Sequence, residues 1–150
     1  MRSAVLVFFL SLATSLFGQQ SQVPEIRYRS APDFLKLPAD IYLGEAVGVA
    51  VNSKGHIFVF SRGNTTGPAY GAAAAQLLEF APDGKFLREL GHNLYAWSFG
   101  HSVRIDRDDN IWVADKGSDM VIKFNPEGRV VMVFGRKQRS EEHTSELQSR

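Results

Sequence analysis

The chain has 150 residues, a formal net charge of +1 and no cysteine. Its length is that of about one ordinary domain, and without cysteine it has no disulfide framework. The near-balanced charge and the lack of basic runs exclude the electrostatic footprint of a nucleic-acid-binding protein, so we predict no nucleic-acid partner.

The first residues have the three-part layout of a secretory signal peptide. A positive start at Met1-Arg2 precedes an almost wholly apolar, uncharged stretch over residues 3–17, and polar residues follow from Gly18. The apolar stretch is shorter than the roughly 20 residues that span a bilayer. A membrane anchor and a buried N-terminal helix are the alternatives. We predict a signal peptide over residues 1–19, cleavage near Gly18 or Gln19, a secreted or periplasmic location, and no membrane attachment after cleavage.

The middle of the chain contains an internal repeat, which is a strong indicator of architecture. Residues 48–63 align with residues 102–117, and apolar positions coincide along the alignment. Residues 77–91 align with residues 121–135 in the same way, around the motifs Pro-Asp-Gly and Pro-Glu-Gly. An insertion over residues 64–76 of the first copy separates the two halves of the alignment.

Each copy is predicted to form four short β-strands. The strands flank polar turns, in which Pro presets the first corner and Gly tolerates a positive φ. Four strands in a unit of about 44 residues are typical of a β-propeller blade. A β-sandwich is the alternative, because its turns are also evenly spaced, but the four-strand repeat favours the propeller. We therefore predict an all-β fold, with an N-terminal extension at residues 20–42 and about two propeller blades at residues 43–138. Two blades alone do not close a ring, which needs roughly four to eight.

The C-terminal segment, residues 139–150, breaks this pattern. It is polar and aperiodic, and residues 139–149 resemble the conceptual translation of a common sequencing adapter. We expect an artefactual tail that takes no part in the fold, and a natural protein of which this chain is the N-terminal part, to about Gln138. A genuine disordered or helical tail is the alternative.

Candidate functional residues lie where the blades begin. A propeller arranges its innermost strands around a central channel, so residues 45–49 and 99–103 are expected to face one small space. His101 lies there and is a candidate metal ligand, although a structural histidine is the alternative. Arg62 ends the second strand and is a candidate site residue, with a solvated charge as the alternative. The acidic residues at 106–110 lack the glycine and the glutamate of an EF-hand, which favours a hairpin turn.

The residues Gly48-Val-Ala-Val, Arg62-Gly63 and Gly100-His101-Ser-Val resemble NHL-repeat propellers, in particular the peptidyl-α-hydroxyglycine α-amidating lyase family. The resemblance covers roughly residues 43–137. It implies a six-bladed propeller of which these are the first two blades.

The resemblance also implies a chemistry. The family splits a peptidyl-α-hydroxyglycine into a peptide amide and glyoxylate, so the partner would be a small or peptidyl substrate. His101 matches the first of three zinc-binding histidines, with Ser102 in place of the family's glycine, and Arg62 matches an active-site arginine. Val49 and Val103 match positions whose main-chain carbonyls bind a structural calcium. The family's other zinc histidines, its tyrosine and its calcium aspartate belong to later blades, so these two blades alone are expected to be inactive.

Two other functions are compatible with the sequence. One is a non-enzymatic NHL-type propeller that binds peptides or glycans, and the other is a different propeller enzyme, such as a lactonase. The sequence leaves the oligomeric state open.

Overall fold

The computed structural model describes residues 24–63 and 75–137. The predicted signal peptide, most of the insertion and the predicted artefactual tail lie outside these residues. Residues 24–30 belong to a separate N-terminal unit and are exposed, and the second unit begins at Ala31. No helix in the described ranges is long and apolar enough to cross a membrane.

The described part of the second unit contains two four-stranded antiparallel sheets, each with its strands in sequential order. The first sheet, called the first blade, contains β1 (Ala46–Val51), β2 (Ile57–Ser61), β3 (Gln76–Phe80) and β4 (Phe86–Leu90). The second blade contains β5 (Gly100–Ile105), β6 (Ile111–Asp115), β7 (Met120–Phe124) and β8 (Val130–Gly135). The prediction of an all-β fold with four strands per repeat is confirmed.

The two copies of the sequence repeat pair their strands in the same register. Val49 pairs with Val59 in the first blade, and Val103 pairs with Val113 in the second. The outer turns are equivalent too, since Gly84 has φ +84° and Gly128 has φ +87°. Only a residue without Cβ adopts such angles freely, which is why each Pro-x-Gly motif ends in glycine.

The blades share an apolar core and are closest at their leading strands, β1 and β5. Gly48 permits this approach, because a Cβ at this position would lie 2.9 Å from the backbone nitrogen of Val103. Among the described strands, the backbones of the two sheets approach each other closely only at β1, β2 and β5, so the sheets diverge toward β4 and β8. This wedge is the arrangement of blades around an axis, and not that of the parallel layers of a sandwich. The buried side chains between the blades include Phe58, Phe60, Leu77, Trp97, Val103, Ile111, Val113 and Phe124.

A polar brace joins the blades at their outer ends. Arg88 on β4 donates hydrogen bonds to the carbonyl oxygens of Glu127 (2.6 Å) and Pro126 (2.8 Å) in the second blade. Its Nε pairs with the buried Glu79, whose other carboxylate oxygen lies 2.7 Å from Nδ1 of His56. The place of His56 in a hairpin predicts an exposed side chain, but the structure has it half-buried.

The face of the first blade that is turned away from the second is covered by an N-terminal segment. Residues 34–43, called the strap, place four aliphatic side chains on the buried Val59, Leu78 and Phe80. These four are Leu35, Leu37, Ile41 and Leu43. The strap contains the end of the predicted extension, which thus belongs to the folded unit.

Candidate functional site

Arg62 and His101 lie at the same end of the two sheets. Arg62 directly follows β2, which ends where the antiparallel β1 begins. His101 is the second residue of β5, and β5 lies beside β1. The antiparallel pairing and the neighbouring leading strands therefore bring residues 39 positions apart in sequence to one place.

The side chain of Arg62 connects the first blade to the start of β5. Its Nε donates a hydrogen bond to the carbonyl oxygen of Gly100 at 2.8 Å, and its Nη1 forms an ion pair with Glu45 at 2.8 Å. The guanidinium carbon lies 3.7 Å from the centre of the Phe99 ring, a cation–π geometry. Only 14% of the Arg62 side chain is exposed. These contacts hold it in place, so Arg62 is not a solvated charge.

His101 occupies a β-bulge. Gly100 pairs with Asp115 and Ser102 pairs with Ala114, so His101 is the extra residue between them. Bulges redirect a side chain and are common beside functional sites, and His101 is exposed here. Val47 has the equivalent bulged position in the first blade. Gly100 itself has no room for a side chain, because a Cβ would lie 2.6 Å from the Phe60 ring.

Asp115 belongs to the site, although its position before Lys116-Gly117 in the sequence predicts only a turn former. Its carboxylate is buried, 2% exposed, and accepts hydrogen bonds from the backbone N–H groups of Ser98 (2.9 Å), Phe99 (3.0 Å) and Ser118 (3.0 Å). The backbone N–H of Lys116 also donates to the Phe99 carbonyl at 3.0 Å. Asp115 thereby fixes the ring on which the Arg62 guanidinium rests.

Val49 and Val103 occupy equivalent positions, but their surroundings differ. The side chain of Val103 is buried between the blades at 0% exposure, whereas Val49 is 57% exposed. The carbonyl oxygen of Val103 accepts a hydrogen bond from Nη1 of Arg104 at 3.0 Å. A calcium ion at this carbonyl would require the Arg104 guanidinium to move away.

Within residues 24–63 and 75–137, no group of three His, Cys, Asp or Glu side chains is placed to hold a metal ion. His101 supplies one imidazole, and a catalytic zinc site needs three protein ligands. The described residues on their own therefore do not fit zinc.

The acidic residues at 106–110 form the hairpin turn that the sequence predicted. Asp106 accepts hydrogen bonds from the Trp112 indole and from the Asn110 amides, and these bonds hold its pKa well below the usual value. Asp109 accepts hydrogen bonds from the hydroxyl and the backbone N–H of Ser53 in the neighbouring blade, which lower its pKa. This turn is a contact between blades at the end of the sheets opposite Arg62.

Comparison with known proteins gives weak likenesses. No protein-family model and no curated protein sequence matches the chain. Among solved structures, a streptogramin B lyase is similar at 13% identity and a TM-score of 0.45, over 62% of this chain and 27% of that one. A protein of unknown function from Bacteroides caccae is similar at 16% identity and a TM-score of 0.32, over 62% of this chain and 46% of that one. The chain thus spans less than half the length of either structure, and likenesses at these scores carry no argument about function.

Proposed function

We propose that the whole protein is an exported, metal-dependent lyase of the peptidyl-α-hydroxyglycine amidating type, and that this chain contributes Arg62 and His101 to its site. The observation that carries the proposal is the 2.8 Å hydrogen bond between Nε of Arg62 and the carbonyl oxygen of Gly100, the residue before His101. It joins a guanidinium and an exposed bulge histidine at the leading ends of two adjacent blades.

The reaction needs a group that holds a carboxylate. In a peptidyl-α-hydroxyglycine the C–N bond of the carbinolamide breaks, the hydroxyl proton is removed, and the amide nitrogen gains a proton, so that an amide and glyoxylate form. A guanidinium is suited to the carboxylate that becomes part of glyoxylate. Nη1 of Arg62 already binds a carboxylate, that of Glu45, whose side chain is 59% exposed. A substrate carboxylate would replace Glu45 in this pair.

The metals are part of the proposal for the whole protein. Zinc would take His101 together with two further ligands from outside the described residues. Calcium would take the carbonyl oxygens of Val49 and Val103 after displacement of Arg104.

A second function is favoured by the environment of Arg62. Its contacts with Gly100 and Phe99 join the two blades, which is a structural task. If that is its whole role, the protein is a non-enzymatic propeller that binds peptides or glycans.

The test is glyoxylate release from a peptidyl-α-hydroxyglycine by the whole protein. We expect release by the wild type, none above background by His101→Ala, and a roughly 10- to 100-fold lower kcat/KM for Arg62→Lys, since a charged hydrogen bond contributes about 1.5–3 kcal/mol. Arg107→Ala is the control, because that side chain is 93% exposed. A wild type that releases no glyoxylate but binds peptides or glycans would support the second function instead.

A further inference from the structure

Glu45 is held beside Arg62 by its backbone as well as by its side chain. The backbone N–H of Arg62 donates to the carbonyl oxygen of Glu45 at 2.9 Å, and the backbone N–H of Glu45 donates to the carbonyl oxygen of Gly63 at 3.2 Å. The Glu45 carboxylate lies 2.8 Å from Nη1 of Arg62. The chain therefore keeps a carboxylate of its own at the guanidinium.

The backbone contacts of Glu45 do not need a carboxylate. At the spacing of the sequence repeat, Glu45 is equivalent to Phe99, and Arg62 is equivalent to Lys116. The backbone N–H of Lys116 donates to the carbonyl oxygen of Phe99 at 3.0 Å, which is the counterpart of the bond from Arg62 to Glu45. Because this position accepts phenylalanine as well as glutamate, the carboxylate is a feature of the Arg62 site rather than a requirement of the blade.

The orientation of the Arg62 guanidinium has two supports besides Glu45. Its Nε donates to the carbonyl oxygen of Gly100, and its plane rests on the Phe99 ring. A guanidinium binds a carboxylate through its forked N–H groups, and with Nε engaged by Gly100 the terminal Nη groups are the ones that meet a carboxylate. Glu45 occupies this position, and its loss would leave both supports in place.

We propose that Glu45 competes with the ligand at this site, so that a small α-hydroxy acid binds Arg62 only by displacing the Glu45 carboxylate. The inference rests on the proposed function for the assignment of Arg62 to the substrate carboxylate, but it does not require that the ligand is cleaved. It makes Glu45 a specificity-determining residue. A ligand that lacks a carboxylate has nothing to replace the ion pair that it would break.

The sign of one substitution separates competition from support. Glu45→Gln keeps the side-chain length and both backbone hydrogen bonds, but it removes the negative charge. If Glu45 competes with the ligand, this change makes binding tighter. If Glu45 only positions Arg62, the guanidinium is held less well and binding becomes weaker.

Titration of the whole protein with ¹³C-labelled glycolate, followed by the width of its NMR signal, measures binding without catalysis. Glycolate carries the carboxylate and the α-hydroxyl of the proposed substrate. We expect Glu45→Gln to bind it about 1.5- to 5-fold more tightly than the wild type, the range for an exposed ion pair. Glu127→Gln is the matched control, because it removes the same charge from an exposed position in the β7–β8 turn, at the end of the sheets opposite Arg62. It is expected to bind glycolate as the wild type does.

Two further measurements assign the effect to Arg62. Glycolamide, the neutral amide of glycolate, is expected to show no gain in affinity for Glu45→Gln. When Arg62→Gln is already present, adding Glu45→Gln is expected to leave glycolate binding unchanged. Circular dichroism establishes that each variant keeps its β-structure.

The proposal is overturned if neither protein binds glycolate, if Glu45→Gln binds it no more tightly than the wild type, or if Glu127→Gln gives the same gain. It is also overturned if the gain extends to glycolamide or persists without Arg62. A Glu45→Gln variant that does not fold would overturn it too, since the carboxylate would then be required by the blade.

Failure of the proposed function gives a different result. A wild type that releases no glyoxylate, yet binds glycolate with the expected dependence on Arg62 and Glu45, keeps the carboxylate site and loses the lyase activity. Glyoxylate release without any gain in glycolate binding by Glu45→Gln keeps the lyase activity and overturns the competition.

Discussion

Asp115→Asn removes one hydrogen-bond acceptor from the buried turn that carries Phe99. In the wild type, Oδ1 accepts from the N–H groups of Phe99 and Ser118, and Oδ2 accepts from that of Ser98. An asparagine oriented to keep the first two bonds would turn its own NH₂ group toward the Ser98 N–H. The Ser98 N–H then faces another donor in place of the carboxylate oxygen, at a residue that is 5% exposed and where water has little access.

The size of the effect follows from these bonds. A hydrogen bond to a charged group contributes about 1.5–3 kcal/mol, and a buried donor without a partner costs about 1–3 kcal/mol. With one bond lost and two weakened by the loss of charge, we expect Asp115→Asn to lower the free energy of unfolding by about 2–4 kcal/mol. Asp115→Ala loses these three bonds, and the expected loss in the free energy of unfolding approaches the whole stability of a small domain, about 5–15 kcal/mol.

Urea unfolding measures the loss, and a slope of about 2 kcal/mol per molar urea converts it to a midpoint shift of about 1–2 M. Asp108→Asn is the control, because its side chain is 70% exposed, and its midpoint is expected to stay within error of the wild type. Hydrogen exchange supplies a local measure, with faster exchange expected at the amides of Ser98 and Phe99. An Asp115→Asn variant with an unchanged midpoint and unchanged protection of these amides would refute the assigned role.

Two further predictions concern the turns. Gly84→Ala and Gly128→Ala both force alanine to a positive φ, at a cost of roughly 1–2 kcal/mol. Only Gly84→Ala also overlaps a backbone atom of the strap, whereas the nearest atom to a Cβ at Gly128 is a side-chain atom, Nη1 of Arg88, at 3.2 Å. Thermal unfolding should show the larger loss for Gly84→Ala by about 1 kcal/mol or more, including the lost hydrogen bond from the backbone N–H of Lys36 to the Gly84 carbonyl, and equal losses would contradict the docked strap. The carboxylate of Asp109 has a pKa below its usual value because Ser53 donates to it, so its stabilising contribution is present above about pH 4 and is lost as the pH falls through the lowered pKa. Asp109→Asn should therefore weaken the acid dependence of stability in urea titrations between about pH 2 and 5, and a profile that parallels the wild type would show that the Ser53 contact is absent in solution.

The strands were predictable because their signal is local and occurs twice. The aligned apolar positions and the two Pro-x-Gly motifs located the four strands of each blade, and the glycines have the positive φ that their turns require. The strap was not predictable in this way. Leu35 and Leu37 alternate with exposed residues as a strand would, yet the face they cover comes from β2 and β3, well away in sequence.

The candidate site was predictable in position but not in its contacts. Antiparallel pairing and adjacent leading strands are enough to bring Arg62 near His101. The bulge at His101 has no sequence signal except the preceding Gly100, and the acceptor role of Asp115 depends on how residues 97–99 fold back on β6. The roles of Arg62 and His101 in chemistry stay predictions.

The fold and the shared position of Arg62 and His101 both depend on the two blades being wedge-shaped neighbours, with the leading strands β1 and β5 side by side. In an isotope-labelled sample, the nuclear Overhauser cross-peak between the α-protons of Gly48 and a γ-methyl group of Val103 measures this most directly, because a Cβ built on Gly48 lies 3.1 Å from Cγ1 of Val103. We predict a strong cross-peak. Assigned spectra in which Gly48 gives no cross-peak to Val103 would contradict it, and the shared position of Arg62 and His101 would then be lost as well.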